Sequence, residues 1–378
     1  MKIVIALNAF KGSISSIDAG KAVSRGIRKA LPNSEVVICP VADGGDGLLD
    51  VVKSLPSSKT IKCKVVGPRK EKICSEFCWL PKEKTAFIEM ALASGLAMLP
   101  ENLRNPMETT TYGTGQLIAR ALKLNPEKII LGIGGSATCD GGTGAAAALG
   151  VVFFDKTGKA ITVPTGGDLN RISGIDSRNA EELSKSKMIE IICDVENPLL
   201  GSKGSAAVYA PQKGATPAQV SELEHGLAIF AGMVRKHTGK DIRKIKGGGA
   251  AGGISAGFYG LFGARLKKGI DVVFELVELE KKIKGADLVI TGEGRLDSQT
   301  AYGKAPAGVA KLAKKHKVPC MAICGCAGKN LANLRKTGIN SVWPICKEAK
   351  NTEDSMRNAG RYLEITACKA INKQRGAK

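Results

Sequence analysis

Five polar side chains, Glu293, Arg295, Asp297, Gln299 and Lys304, crowd into the stretch that follows the apolar run Asp287–Thr291. Carboxylates take protons, hold hydroxyls or ligate cations, and a guanidinium grips an oxyanion through a planar fork of donors. The run before them is rich in β-formers and reads as a central strand buried on both faces. Ala305–Lys315, opened by Pro306, reads as the helix that follows. Loops at the carboxyl ends of parallel strands are where open α/β sheets bind ligands. A solvated connection with a capping acid is the plainer alternative, but two glycines beside these polar groups favour a site.

A second inventory is spread along the chain. Lys11 and Ser13 share Phe10-Lys11-Gly12-Ser13, and Asp43 and Asp46 share Ala42-Asp43-Gly44-Gly45-Asp46-Gly47. Thr111 and Thr114 stand in Thr109–Gly115. Ser136, Thr138 and Asp140 stand in Gly134–Gly142, and Asp194 ends the apolar run from Met188. Glycine loops with hydroxyls, one early lysine and isolated aspartates at strand ends suit phosphoryl transfer. That chemistry needs N–H and O–H cradles for phosphate, carboxylates for Mg²⁺, a base for the acceptor and a cation for developing charge. The P-loop and protein-kinase signatures are missing from the sequence.

The elements that must position these residues alternate between strand and helix. Lys2–Leu7 and Val36–Val41 read as strands, with helices over about Ser16–Leu31 and up to about Leu55. Lys11 and the start of the first helix together make a natural anion site. After Pro56, Thr60–Val66, Ile73–Leu80 and Lys84–Met90 follow without intervening helices, the mark of an antiparallel or mixed sheet. A helix Gln116–Leu122, the strand Lys128–Ile133, a small-residue helix to Leu149 and the strand Val151–Asp155 come next. Beyond the strand Met188–Asp194, the helical stretches Pro217–His237 and Gly252–Phe262 are joined by the Gly-rich Gly247–Gly253. From Ala286 the alternation returns, with strands Pro319–Cys324 and Ser341–Ile345. The expected class is α/β. A doubly wound parallel-sheet domain forms from both chain ends (1–60 and 285–378), and 61–284 is inserted as a second α/β domain with a mixed sheet.

Composition narrows the function. At 378 residues with 43% hydrophobic content the chain suits two domains, and no apolar run approaches the length that crosses a bilayer. A strand begins at once from Lys2, with no signal-peptide pattern, which makes the cytoplasm the default. The eleven cysteines lie mostly in apolar runs without zinc spacing, and the three histidines (His225, His237, His316) read as surface helix residues. A net charge of +21 raises nucleic-acid binding. However, the lysines are spread over surface helices without interleaved aromatics or a binding module, so a non-catalytic basic protein is the weaker alternative. The other competitor is an NAD-dependent hydroxy-acid dehydrogenase. It rests on Gly132-x-Gly134-x-x-Ala137 with Asp155 ending the next strand, although that turn is unusually polar.

Taken in order, Phe10–Ser13, Ala42–Gly45, Tyr112–Gly115, Gly132–Thr138, Cys193–Val195 with Asn197–Leu199, Gly252-Gly253, Gly269–Asp271 and Thr291–Asp297 with Gln299-Thr300 resemble the type I glycerate kinases from about Lys2 to Ile345. The resemblance implies a flavodoxin-like domain of both chain ends, an inserted domain and an active site in the cleft between them. It implies Mg²⁺ and ATP, with D-glycerate as substrate, the 2-phosphate ahead of the 3-phosphate as product, and leaves a homodimer open. Three departures stand out: Asn8 and Ala9 where the family carries an acid and a serine, Asp46 for Glu, and Cys139 for Asn.

On this reading Arg295 clamps the substrate carboxylate, with Glu293 and Asp297 on its hydroxyls, although Arg295 could instead pair with Asp297. Asp194 is the base, Asp43 a metal-side carboxylate with Asp140 as a second metal candidate, and Lys11 the cation on the transferring phosphate. Ser13, Gly113, Thr114, Gly115, Gly134, Gly135, Ser136 and Thr138 cradle the nucleotide phosphates, the last four at the start of the Gly142–Leu149 helix.

Overall fold

Aliphatic runs place the sheets, and amphipathic or small-residue runs place the helices. The computed structural model describes residues 1–44, 47–180, 188–297, 300, 304–328 and 331–376. Gly45, Asp46 and Gln299, named above, lie outside the described residues. The chain divides into two compact units, Met1–Ser54 with Gly269–Lys378, and Leu55–Lys268.

In the unit of the chain ends, the strands Glu35–Ile38, Lys2–Leu7, Leu288–Gly292, Cys320–Cys324 and Ile339–Pro344 lie side by side in that order, all parallel. Counted along the chain this is the flavodoxin-like order, whose crevice opens where the first and third strands meet. Those strands are Lys2–Leu7 and Leu288–Gly292, and their aliphatic residues are almost wholly buried. Ile3, Ile5 and Ile290 pack with Val23 and Ile27 of the helix Ser16–Ala30 and with Leu363 and Ala367 of the helix Ala359–Gly376. Gly292 ends the central strand for want of space: a Cβ there would lie 1.7 Å from the Ile323 carbonyl oxygen. The second join falls at Gly269, not at 285 as the sequence reading places it. A Cβ on Gly269 would meet the Asp43 carbonyl oxygen at 2.0 Å, so the helix Gly269–Leu276 is packed within this unit.

In the unit Leu55–Lys268 one sheet runs Lys59–Val66, Lys72–Leu80, Thr85–Glu89, Lys128–Gly132, Met188–Ile192 and Arg265–Lys267. Its first three strands pair antiparallel and the rest parallel, giving a mixed sheet. Val152–Phe154 does not join it. That strand pairs antiparallel with Ala160–Ile161 and Gly174–Asp176 in a small separate sheet. A dinucleotide site needs the strand carrying its acid in the same parallel sheet, so the dehydrogenase alternative loses its second half. Asp155 instead closes its own hairpin, accepting from Thr157 N and Oγ1 and from Lys159 N.

Candidate active site

Each unit holds a polar centre at the carboxyl ends of its parallel strands. In the unit of the chain ends, Asn8 follows the first strand and Glu293 follows the third, so both stand at the crevice of the strand order. Asn8 is buried and donates from Nδ2 to Asp43 Oδ2 at 2.9 Å. Asp43 Oδ1 accepts from Ala305 N–H at 2.6 Å, at the start of the Ala305–Lys315 helix, where an anion is favoured.

Glu293 is 7% exposed and accepts one hydrogen bond from the Thr300 hydroxyl at 2.9 Å, with Lys304 Nζ at 4.0 Å. Burial is the chief cause that pushes its carboxyl up to about 7; Asp43 and Asp297 add to it, against Thr300 and Lys304. Asp297 folds the loop back on itself, its N–H donating to Thr300 Oγ1 and its Oδ1 accepting from Thr300 N. Arg295 is exposed, with Nε 3.9 Å from Asp297 Oδ2. The pairing left open by the sequence is therefore present but loose.

The Phe10–Ile14 turn is closed by Ser13 N and Ile14 N donating to Phe10 O, and the Gly294 backbone lies against Phe10 and Lys11. Lys11 is thus brought beside the Glu293 loop. Ser13 is not free to cradle phosphate as expected, since its hydroxyl donates to the Met356 carbonyl. Nor is the start of the Ser16–Ala30 helix an open anion site: Ser15 Oγ caps it by accepting from Asp18 N at 3.1 Å.

In the unit Leu55–Lys268, three expectations change. Asp140 is fully buried and saturated: Oδ2 accepts from Thr111 N, Thr111 Oγ1 and Gly144 N, and Oδ1 from Gly142 N. Burial raises its carboxyl and these donors pull it back. It ties two helix starts together, with four protein donors on its two oxygens. Thr111 Oγ1 accepts in turn from Ala145 N, so the N–H groups opening the Thr143–Ala148 helix are used internally and do not serve the Gly134–Thr138 loop.

Gly113, Thr114 and Gly115 lie inside a helix that begins at Tyr112, not at Gln116. A Cβ on Gly113 would sit 1.8 Å from Val66 O and one on Gly115 2.3 Å from Ala145 O, while Thr114 Oγ1 pairs with Ser94 Oγ at 2.9 Å. Close packing is reason enough for these glycines.

The Gly134–Thr138 loop keeps its candidacy. Gly135 is exposed in a left-handed conformation at φ 68°, and Leu96 N and Ala137 N anchor the loop through Gly135 O and Ser94 O. Beneath it lies Lys213, which the sequence reading passed over. Its ammonium is 2% exposed and donates to Ser136 Oγ at 2.8 Å and to Thr138 O at 2.7 Å. Asp194, just past the strand Met188–Ile192, is exposed.

Carboxylates at a flavodoxin-like crevice and a glycine–hydroxyl loop agree with comparison to known proteins. The model of the glycerate kinase family matches residues 3–374. The chain belongs to the glycerate kinase family. A glycerate kinase of Bacillus subtilis (strain 168) is 42% identical over 367 residues, which is 97% of this chain and 96% of that protein. A glycerate 2-kinase of Escherichia coli (strain K12) is 40% identical over 359 residues, 95% of this chain and 94% of its own length. A crystal structure from Salmonella typhimurium LT2, assigned as glycerate kinase 2, superposes with a TM-score of 0.89 at 38% identity, covering 100% of this chain and 99% of that one.

Of the departures expected from the resemblance, Asn8 is an amide donor to Asp43, and Cys139 is a buried thiol that burial pushes up to about 11. Lys213 carried little sequence signal. It is one of 56 Lys and Arg residues, and only the Pro211 and Gly214 around it hinted at a fixed turn.

Proposed function

We propose that the chain is an ATP-dependent kinase that phosphorylates D-glycerate with Mg²⁺ in the cytoplasm, giving 2-phosphoglycerate. Family membership and the name of the Escherichia coli relative support the substrate and the hydroxyl. The observation that carries the reading is Glu293: a buried carboxylate near neutrality, at the crevice strand end, with Asp43, Asp297, Lys11 and Arg295 on adjoining loops. A group titrating near the working pH is suited to accept a hydroxyl proton.

In the proposed step the glycerate hydroxyl oxygen attacks the γ-phosphorus and its proton passes to Glu293. The bond from the γ-phosphorus to the bridging oxygen breaks, and ADP leaves with that electron pair. Arg295, exposed and loosely paired, grips the substrate carboxylate through its fork of donors. Lys11 offsets charge on the transferring group. Among the described residues Asp43 accepts one bond at each oxygen, leaving lone pairs that would suit a hard cation such as Mg²⁺. When bound, Mg²⁺ supplies charge neutralisation between the phosphates. Gly134, Gly135, Ser136 and Thr138 hold the nucleotide phosphates. Asp194 is the second base candidate.

The test is incubation with Mg²⁺, ATP and D-glycerate, with ADP release followed and the product identified by NMR. Glycerate-dependent ADP release with phosphorus on the 2-oxygen is expected. Release without glycerate, or none with any small hydroxy acid, sinks the reading.

A further inference from the structure

We propose that Lys213 is a positioning residue that sets the Gly134–Thr138 loop to receive nucleotide phosphate, a role that rests on the reading above that this loop holds it. Lys213 ends the short turn Pro211–Lys213, which is closed by Lys213 N donating to Ala210 O and Gly214 N to Pro211 O. A Cβ on Gly214 would meet Arg104 O at 2.2 Å, so the turn is seated tightly against the Arg104 backbone. The turn drives the side chain under the loop, where Nζ donates to Ser136 Oγ and Thr138 O.

The consequence lies in which atoms remain. An ammonium only donates, so Ser136 Oγ is fixed as acceptor from below and its own proton must point elsewhere. Thr138 has its carbonyl pinned, while its buried Oγ1 has no hydrogen-bond partner among the described residues. Phosphate oxygens are acceptors only, so two hydroxyl protons offered over a buried cation match that ligand. Serine alone would rotate its hydroxyl to suit any neighbour; the lysine removes that choice.

Protonation of Lys213 is the handle. Burial pulls its ammonium down to about 8, with Cys139 and Asp140 opposing the shift. The other titratable groups facing this pocket are Cys139, neutral until about 11, the saturated Asp140, and Glu224 of the helix Pro217–Thr238, which acts on Cys139. Once neutral, Lys213 no longer fixes the acceptor at Ser136, and nucleotide binding should weaken. Stability moves the other way. The folded group releases its proton near 8 and the unfolded one near 10.5, so the fold gains stability as the pH rises between them. A lysine that served stability alone would leave nucleotide affinity constant across that window.

The experiment measures KM for ATP and for glycerate at pH 7 and 9 in the wild type, Lys213→Met and Thr138→Val, with thermal melts of each. A single titration at 8 raises the wild-type KM for ATP about tenfold from pH 7 to 9. Lys213→Met should start about tenfold high at pH 7 and show no such rise, with the KM for glycerate little changed. Thr138→Val, which removes only the unpaired hydroxyl, should raise the KM for ATP several-fold. If Thr138→Val weakens ATP but Lys213→Met does not, the lysine has no positioning role and the loop assignment survives. If neither alters the KM for ATP, the loop assignment falls as well. If Lys213→Met gives no cooperative melt, the wild-type pH series decides, and a constant KM for ATP from pH 7 to 9 overturns the proposal.

Discussion

The two units treat their buried charges in opposite ways. In Leu55–Lys268, Asp140 accepts from three residues' donors and Lys213 donates to two acceptors. In the unit of the chain ends, buried Glu293 receives one hydrogen bond among the described residues, from the Thr300 hydroxyl. A buried charge with all its lone pairs met stabilises the loops around it. One left under-satisfied keeps capacity for a ligand. On the proposed reading, that difference divides the structural carboxylate, Asp140, from the chemical one, Glu293.

Glu293→Gln is the largest test of that distinction. The amide can still accept from Thr300 but cannot take a proton, so kcat should fall by about 10²–10⁴ with the KM for ATP unchanged. The wild type should lose activity as the pH drops below about 7, because the base must be ionised. The sign for stability is opposite. Its folded carboxyl is raised from 4.5 to about 7, so its contribution is whole below 4.5 and lost as the pH rises through 7, about 3 kcal/mol in all. Denaturant melts at pH 8 should therefore find Glu293→Gln the more stable protein. If Asp194→Asn instead abolishes turnover while Glu293→Gln retains it, the base is Asp194.

Asp140→Asn probes the saturated side. Three of the four donors to Asp140 are backbone N–H groups, and the new amide presents them with only one acceptor oxygen. A loss of about 2–4 kcal/mol in denaturant melts is expected, with an unchanged Mg²⁺ requirement per folded molecule. A shifted Mg²⁺ requirement would restore Asp140 to the metal. Arg295→Ala should do the reverse. It should leave the melting temperature in place, since an exposed pair contributes little, while the KM for glycerate rises by about 10–100-fold and that for ATP does not.

The same contrast explains what the sequence disclosed. The strands Lys2–Leu7, Leu288–Gly292 and Cys320–Cys324 were legible because buried parallel strands are continuous aliphatic runs. The motifs at their ends were legible as polar, glycine-bearing breaks. Their purposes were not, because a glycine at a close approach and one at a phosphate look alike: Gly113 and Gly115 turned out to pack against Val66 and Ala145. Hydroxyls were ambiguous for a similar reason. Ser13 and Thr114 point at protein partners that are distant in sequence, whereas Thr138 Oγ1 has none among the described residues, as is also true of Ser205, Ser255 and Thr366. Lys213 was hidden by number, the one buried lysine or arginine among the described residues of a chain carrying +21.

Asn8 offers the finest division between the two kinds of site, because one atom decides it. Its Nδ2 donates to Asp43 Oδ2, while its Oδ1 accepts from Ala9 N. Asn8→Asp keeps the second bond and replaces the first with two carboxylate oxygens about 3 Å apart, which cannot both stay ionised without a cation or a shared proton. If Asp43 faces Mg²⁺, the new pair converts repulsion into ligand capacity. The apo variant should be less stable than the wild type at pH 8 by about 1 kcal/mol, and Mg²⁺ should restore it. The half-saturating Mg²⁺ for turnover should then fall several-fold. If Mg²⁺ shifts the melting temperature of both proteins equally, Asp43 is not on the metal side. Its bonds to Asn8 and to Ala305 N would then make it a helix-capping acid, as saturated in its own unit as Asp140 is in the other.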